Sequence, residues 1–402
     1  MKILHVAHFF YPCLSAGGVV NASYQIASKQ AKGNDVKVIS SDSCKERLKF
    51  PNGRYDVDVD GIKVDYFKNL SNRFKLATML DTPIMAFFRI GKEIKNYDII
   101  HIHEHRQTLA IIVSFFARRH NIPYIVQAHG SVLPFFQKES LKNLFDKAFG
   151  FRILHDASCV FALTDVEKEQ YLKMGVDEDK IEIVPLGINL EEYENLPDFG
   201  KFRSKFNIGM DDKLILFVGR IHEIKGLDLL IDSFNDLIHK GDYINGTDDN
   251  LENNCSIKLA IVGPDDGYLS NLEEKIKEYS LEGNVIITGP LYKQEKQEAL
   301  VDCDLFVMPS RYESFTTSGL EAMACSKPLV LTKNNHIHDW VDGNVGIACE
   351  DDKDSLRNAV QRVLFDEGLA KGYGENGRKL IEEKYNWTII NNQILDIYKK
   401  YL

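Results

Sequence analysis

The stretch RYESFTTSGLEAMAC, residues 311–325, sets Glu313 and Glu321 eight positions apart, with Thr316, Thr317, Ser318 and Gly319 between them. On one continuous helix, residues so spaced point about 80° apart, at about 100° per residue. The apolar run DLFVMP (304–309) reads as a strand and TTSGLEAMAC as a helix start, so Glu313 falls in the loop between them. Thr316 or Thr317 then caps the helix, leaving the amides of Thr317, Ser318 and Gly319 as donors. Small side chains let a ligand approach those amides, and Glu321, one turn in, can accept hydrogen bonds from a vicinal diol. A helix start for phosphate, one carboxylate for a sugar and one for ribose suit a nucleotide sugar. The plainer reading is a capping pattern beside an ordinary exposed glutamate.

A second loop offers cations. GRIHEIKG (219–226) follows the apolar run KLILFVG (213–219) and precedes the helical pattern LDLLIDSFNDLI. Arg220 and Lys225 beside a helix N-terminus make an anion site, because the dipole and free amides add to two full charges. Two exposed basic residues on a loop are the alternative. Gly17 and Gly18, in SAGGVVNASYQIA (15–27), permit close backbone approach to an anion, although a tight turn explains them about as well. His129, in QAHGSVLP (127–134), ends a strand and either donates to a substrate hydroxyl or carbonyl or is structural.

HIHEH (101–105) puts His101, His103 and His105 on one face if the strand continues, which is a metal-site pattern. No HExxH or carboxylate–histidine spacing supports it, so no metal is assigned. DVDVD (56–60) precedes GIKVDYF in an apparent hairpin and reads as solvated.

These loops need strands to end at and helices to start. Short apolar runs alternate with amphipathic stretches: 3–9, 35–40, 98–103, 124–129, 158–164 and 181–185, then again 213–219, 257–263, 284–289, 304–309 and 328–332. Helical patterns such as NASYQIASKQAK (21–32) and TLAIIVSFFARRH (108–120) lie between. The expected class is α/β, with two Rossmann-like, doubly wound parallel-sheet domains facing across a cleft. The domains are expected at 1–195 and 196–384, joined through the polar stretch 189–212, with a last helix over 385–402. KGDYINGTDDNLENNCS (240–256) reads as a surface insertion.

Composition, 44% hydrophobic and 27% charged, excludes a fibrous repeat or wholesale disorder. The seven cysteines show no C-x-x-C pair and read as reduced thiols of a cytosolic protein. MKILHVAHFFYP lacks a signal peptide's long apolar region, and no run reaches the roughly eighteen apolar residues of a membrane span. Residues 1–200 carry 25 basic and 25 acidic side chains, so the remaining 24 and 34 hold the whole net charge of −10. Residues 66–152, with 13 basic and 6 acidic, are locally positive. Aromatic and basic residues alternate there at helical spacing, which suits an anionic membrane surface or plain amphipathic helices packed on a sheet.

Taken in order, GGVVNASYQIA, HGSVLP, LTDVEKEQY, VPLGIN, VGRIHEIKGLDLLIDSF, ITGPLYKQEKQEALVDCDLFVMPSRYESF and LEAMACSKP resemble the group 1, family 4-like retaining glycosyltransferases of the double-Rossmann (GT-B) fold. The resemblance spans nearly the whole chain. It implies that Arg220 and Lys225 neutralise a donor diphosphate, Glu313 contacts the donor sugar and Glu321 binds ribose. It further implies that Gly17 and Gly18 lie near the phosphates, His129 near the transferred sugar, and Leu291 where the base is held by backbone contacts. Thr316 and Thr317 replace a usual Gly-Leu or Gly-Met, PLG (185–187) replaces Pro-Asn-Gly, and Ser326 replaces glycine.

The function expected is therefore metal-independent, retaining transfer of a sugar from a nucleotide diphosphate to a hydroxyl acceptor, a lipid-linked or cell-surface glycan of polysaccharide biosynthesis. No cofactor and no nucleic-acid partner are expected. The location expected is cytoplasmic, peripheral on the inner face of a membrane. A nucleotide-sugar epimerase or hydrolase on the same fold, or a metal-dependent hydrolase using HIHEH, are the alternatives.

Overall fold

The computed structural model describes residues 1–13, 17–44, 47–50, 55–70, 82–134, 138–240 and 256–402. Most of the 240–256 insertion and part of the basic stretch lie outside them. The chain forms two compact units, Met1–Gly187 with Trp387–Leu402, and Ile188–Asn386.

Unit 1 is built on eight strands: β1 (Lys2–Ala7), β2 (Asp35–Ser41), β3 (Asp56–Val59), β4 (Ile62–Phe67), β5 (Ile99–His103), β6 (Tyr124–Gln127), β7 (Cys159–Ala162) and β8 (Ile181–Ile183). Their order is β3-β4-β2-β1-β5-β6-β7-β8. Every neighbouring pair is parallel except β3 with β4, a hairpin turned by Asp60 and Gly61 at φ 51° and 83°. Two successive positive φ angles are what a tight hairpin turn requires, and Asp-Gly supplies them at low cost. Parallel strands need crossovers, which the helices Gly18–Ala31, Thr108–His120 and Asp165–Lys173 help to supply. Because helices cover both faces, β5 is buried at every position instead of at alternate ones. The terminal helix Trp387–Lys399 packs within this unit; Trp387, Ile390, Ile394 and Tyr398 are buried, and Gln393 donates to the Ile183 carbonyl at 2.9 Å.

Unit 2 carries six parallel strands: β9 (Lys213–Val218), β10 (Ile257–Val262), β11 (Val285–Gly289), β12 (Leu305–Met308), β13 (Leu329–Thr332) and β14 (Gly346–Cys349). They lie in the order β11-β10-β9-β12-β13-β14, so the winding reverses between β9 and β12. Ligands of open parallel sheets sit beyond the carboxyl ends of the strands at such a reversal. β14 is the strand that apolar periodicity misses. It is four residues long and begins at Gly346, where a Cβ would lie 2.0 Å from the Leu329 carbonyl oxygen.

One reading of the sequence fails here. Cys13 and Cys44, 31 residues apart, form a disulfide. They follow β1 and β2, neighbouring parallel strands, so their Cα atoms come within 5.8 Å, a pairing that no sequence spacing announces. Cys159, Cys303, Cys325 and Cys349 are free and buried.

Gly263 follows β10 at φ 154°, and a Cβ there would sit 1.7 Å from the Gly219 carbonyl oxygen. Since that neighbour is backbone, relief requires moving β9 away from β10. Gly263→Ala should therefore destabilise the protein by about 3 kcal/mol or more, read as a lowered denaturation midpoint of the transition that reports unit 2.

Candidate functional site

The loop after β9 begins with Gly219 and Arg220, makes a turn over Glu223–Lys225 and closes at Gly226, from which the helix Leu227–Lys240 starts. Gly226 has φ 65°, and a Cβ would meet the Pro309 carbonyl oxygen at 2.0 Å, so glycine lets this loop touch the one after β12. Arg311 fastens the two: its amide donates to the Ile224 carbonyl at 2.8 Å, and its guanidinium donates to both Asp228 oxygens at 2.9 and 2.6 Å. Neither Arg311 nor Asp228 carries a sequence signal for that role.

Across this seam Lys225 meets Glu313, both largely buried, in an ion-paired contact. Glu313 is fixed through its backbone as well, donating to the Asn334 carbonyl at 3.1 Å and accepting from the His336 amide at 2.8 Å. Arg220 leans the other way, toward the loop after β10, and pairs with Asp266. Both members are solvent-exposed, so the pair is worth little, and the guanidinium is available to an anion.

Thr316 is the N-cap of the helix Thr317–Ala324, accepting from the Gly319 amide at 3.1 Å. The Gly319 amide is therefore spent on the cap, contrary to its reading as a free donor. Thr317 and Ser318 remain as the first amides outside the helical ladder. Glu321 sits one turn on, and Lys296 donates to it at 2.6 Å. Glu321 also raises the pKa of the buried Tyr193 phenol, after burial itself. Lys296 escapes sequence reasoning because KQEKQEALVD looks like any charged helix face, and Tyr193 because it comes from the distant turn Leu190–Tyr193. Leu291 follows β11 and Gly289, half-buried in the loop ahead of the helix Lys293–Asp302.

Gly17, Gly18 and His129 belong to unit 1. Gly17, at φ 78°, leads directly into the helix that starts at Gly18. His129 stands at φ 53° and Gly130 at φ 84°, so the chain turns sharply after β6. Glu167 holds that turn, accepting from the amides of Gly130 and Leu163, each at 2.6 Å. Burial pushes its carboxyl up to about 7. His129 Nε2 lies 3.0 Å from His103 Nδ1, and burial holds its imidazole neutral, with a pKa well below the ordinary histidine value. His105 does not share a face with His101 and His103. The strand ends at His103, Glu104 adopts φ 65°, and His105 turns toward Asp146, 3.6 Å away.

The family of glycosyl transferases group 1 matches residues 198–380, and glycosyltransferase family 4 matches residues 16–192. An uncharacterized glycosyltransferase of Methanocaldococcus jannaschii is 30% identical over 227 residues, 55% of this chain and 54% of that relative. Mannosylfructose-phosphate synthase of Agrobacterium fabrum is 26% identical over 269 residues, 63% of this chain and 57% of that relative. The matched stretches thus span little more than half the length of these relatives. Anabaena HepE, solved in complex with UDP and glucose, superposes with a TM-score of 0.74 at 18% identity over 100% of both chains, a likeness of fold.

The Arg311–Asp228 tie is testable by pH. Burial alone would raise the Asp228 carboxyl, but the Arg311 guanidinium outweighs it and holds the carboxyl below the usual carboxylate range. A depressed folded pKa stabilises above the unfolded value, about 3.9, and that stabilisation disappears as pH falls through the folded one. Asp228→Asn should cost about 1 kcal/mol at neutral pH, and its melting deficit against wild type should shrink below about pH 4.

Proposed function

Since the chain belongs to the group 1 glycosyltransferases, we propose that it moves a sugar from a nucleotide diphosphate to a hydroxyl acceptor with retention at the anomeric carbon. The observation that carries this reading is the seam between β9 and β12, where Lys225, Glu313 and the Thr316-capped helix start gather at the reversal of strand order. The fold shared with HepE, a protein solved with UDP and glucose, supports a nucleotide-diphosphate donor.

In the proposed reaction the bond from the anomeric carbon to the diphosphate oxygen breaks, leaving positive charge on the sugar and negative charge on the diphosphate. Lys225, Arg220 and the amides of Thr317 and Ser318 stabilise the leaving group without a metal ion on it. The acceptor oxygen bonds to the same face of the sugar, and its proton passes to the departing phosphate oxygen. Glu313, fixed by Lys225 and by its backbone bonds, orients the sugar and forms no covalent intermediate, unlike a glycosidase carboxylate. Glu321 takes the ribose hydroxyls, and the backbone around Leu291 takes the base. Gly17, Gly18 and His129 carry the phosphate and sugar roles that the family resemblance gives them.

For the acceptor, unit 1 offers a surface. Met85 (66% exposed), Phe88 (61%), Leu141 (43%) and Leu144 (64%) project from helices that also carry Arg89, Lys92 and Lys142, with Lys147 on the π-helical turn that follows the second. Exposed apolar side chains among cations suit an anionic membrane bearing a lipid-linked acceptor. No helix among the described residues is long and apolar enough to cross a membrane.

Arg220→Ala and Lys225→Ala should each lower kcat about a hundredfold or more, with donor turnover followed by nucleotide release. Turnover within a few-fold of wild type in both would overturn the assignment, and product of inverted configuration by NMR would overturn retention. Met85→Asp with Leu144→Asp should abolish flotation with anionic liposomes while leaving donor-induced thermal stabilisation intact.

A further inference from the structure

A buried cluster of imidazoles in unit 1 lies behind the His129 turn. His5 on β1 and His101 on β5 are cross-strand partners, and His103 follows two residues along β5 on the same face. All three are completely buried, and one ring nitrogen of each lies within 4.8 Å of the others.

The hydrogen bonds sort these nitrogens into an outer and an inner set. On the outside, His5 Nε2 faces the Gln30 carbonyl oxygen at 3.0 Å, His101 Nδ1 faces the Tyr398 hydroxyl at 2.7 Å, and His103 Nδ1 faces His129 Nε2 at 3.0 Å. Each of these partners can accept a proton from the ring it touches. On the inside, His5 Nδ1 and His103 Nε2 lie 3.0 Å apart, and His101 Nε2 makes no hydrogen bond of ordinary geometry among the described residues. With the three ring protons held outside, the inner nitrogens present three lone pairs to one another. Two lone pairs at that separation repel unless a cation or a hydrogen-bonding proton lies between them, and without an ion one such proton joins His5 and His103.

Metal-binding imidazoles show this arrangement: one nitrogen on the ion, the other donating to a carbonyl, hydroxyl or second acceptor that fixes ring and tautomer. Gln127 adds an independent observation. It is the cross-strand neighbour of His103 on β6, completely buried, and its amide makes no hydrogen bond of ordinary geometry among the described residues, although it lies close enough to His101 to interact with it. Its oxygen is a suitable fourth donor for a tetrahedral ion.

We propose that His5, His101 and His103 bind one divalent transition-metal ion of the zinc class in the core of unit 1. Three imidazoles favour zinc, cobalt, nickel or copper, whereas magnesium and calcium prefer oxygen. The ion clamps β1 to β5 and, through Gln30 and Tyr398, engages the helices Gly18–Ala31 and Trp387–Lys399. On binding it takes the place of the proton between His5 and His103; that proton is taken up at His103 Nδ1, which donates to His129 Nε2, and the proton of His129 moves to its Nδ1. Its role is structural, it touches none of the groups proposed to hold the diphosphate, and through His103 it fixes the tautomer of His129.

The full chain, stripped with a chelator and re-equilibrated with Co(II), should retain about one ion through gel filtration and show the visible absorption of tetrahedral cobalt. Zn(II), but not Mg(II), should bleach that band and raise the melting temperature. His101→Gln and His103→Gln should each lose the band, whereas His105→Gln, which changes a histidine outside the cluster, should keep it. Wild type retaining less than about a tenth of an equivalent would overturn the proposal and leave a chain of hydrogen-bonded neutral imidazoles. So would a cobalt spectrum unchanged in both the His101 and His103 variants. Because wild type alone gives the stoichiometry and the Mg(II) contrast, a variant that fails to fold does not shelter the idea.

Discussion

The reversal of winding between β9 and β12 is the constraint on which the candidate site depends. Everywhere else in unit 2 a loop leaving a strand is carried over its neighbour by the next helix. At the reversal the helices depart in opposite senses, and the loops after β9 and β12 are left side by side. Gly226, with no Cβ to hold the Pro309 carbonyl away, lets them touch, and Arg311 locks them through Asp228. The Lys225–Glu313 contact joins residues 88 positions apart and exists because of that seam.

Much of this architecture can be read from the chain, because strands in covered parallel sheets are forced to be short, nearly unbroken apolar runs. KLILFV, IKLAIV and LFVM stand out on that ground, and the Thr-Thr-Ser-Gly start of a helix stands out by its capping chemistry. Glu313 could be placed in a loop from the sequence because a strand ends before it and a cap follows it. What the sequence conceals are partners brought in by tertiary register. Lys296 and Tyr193 reach Glu321 from distant segments, and the Cys13–Cys44 pair depends on which strands are neighbours. His5 is the clearest case. HIHEH suggests that its own three histidines belong together, yet a positive φ at Glu104 turns His105 aside, and the third imidazole comes from a strand nearly a hundred residues earlier.

The two units handle charge differently. In unit 2 the titratable groups of the seam remain paired and partly accessible: lysine with glutamate, arginine with aspartate. Such groups can exchange a protein partner for a ligand. In unit 1 the histidines near the centre are fully enclosed, and burial keeps them neutral. Neutral imidazoles can lie close together where imidazolium ions would repel, so the enclosure is what permits so many in one place.

The chain leaves unit 1 at Gly187 and returns to it only at Trp387, where Tyr398 meets His101 across 297 positions of sequence. On a ribosome, unit 2 is therefore complete while unit 1 still lacks the helix that covers its histidines. Unit 1, begun before unit 2, is finished after it, and its half-built core must wait, open to chaperones and water, until the helix Trp387–Lys399 emerges.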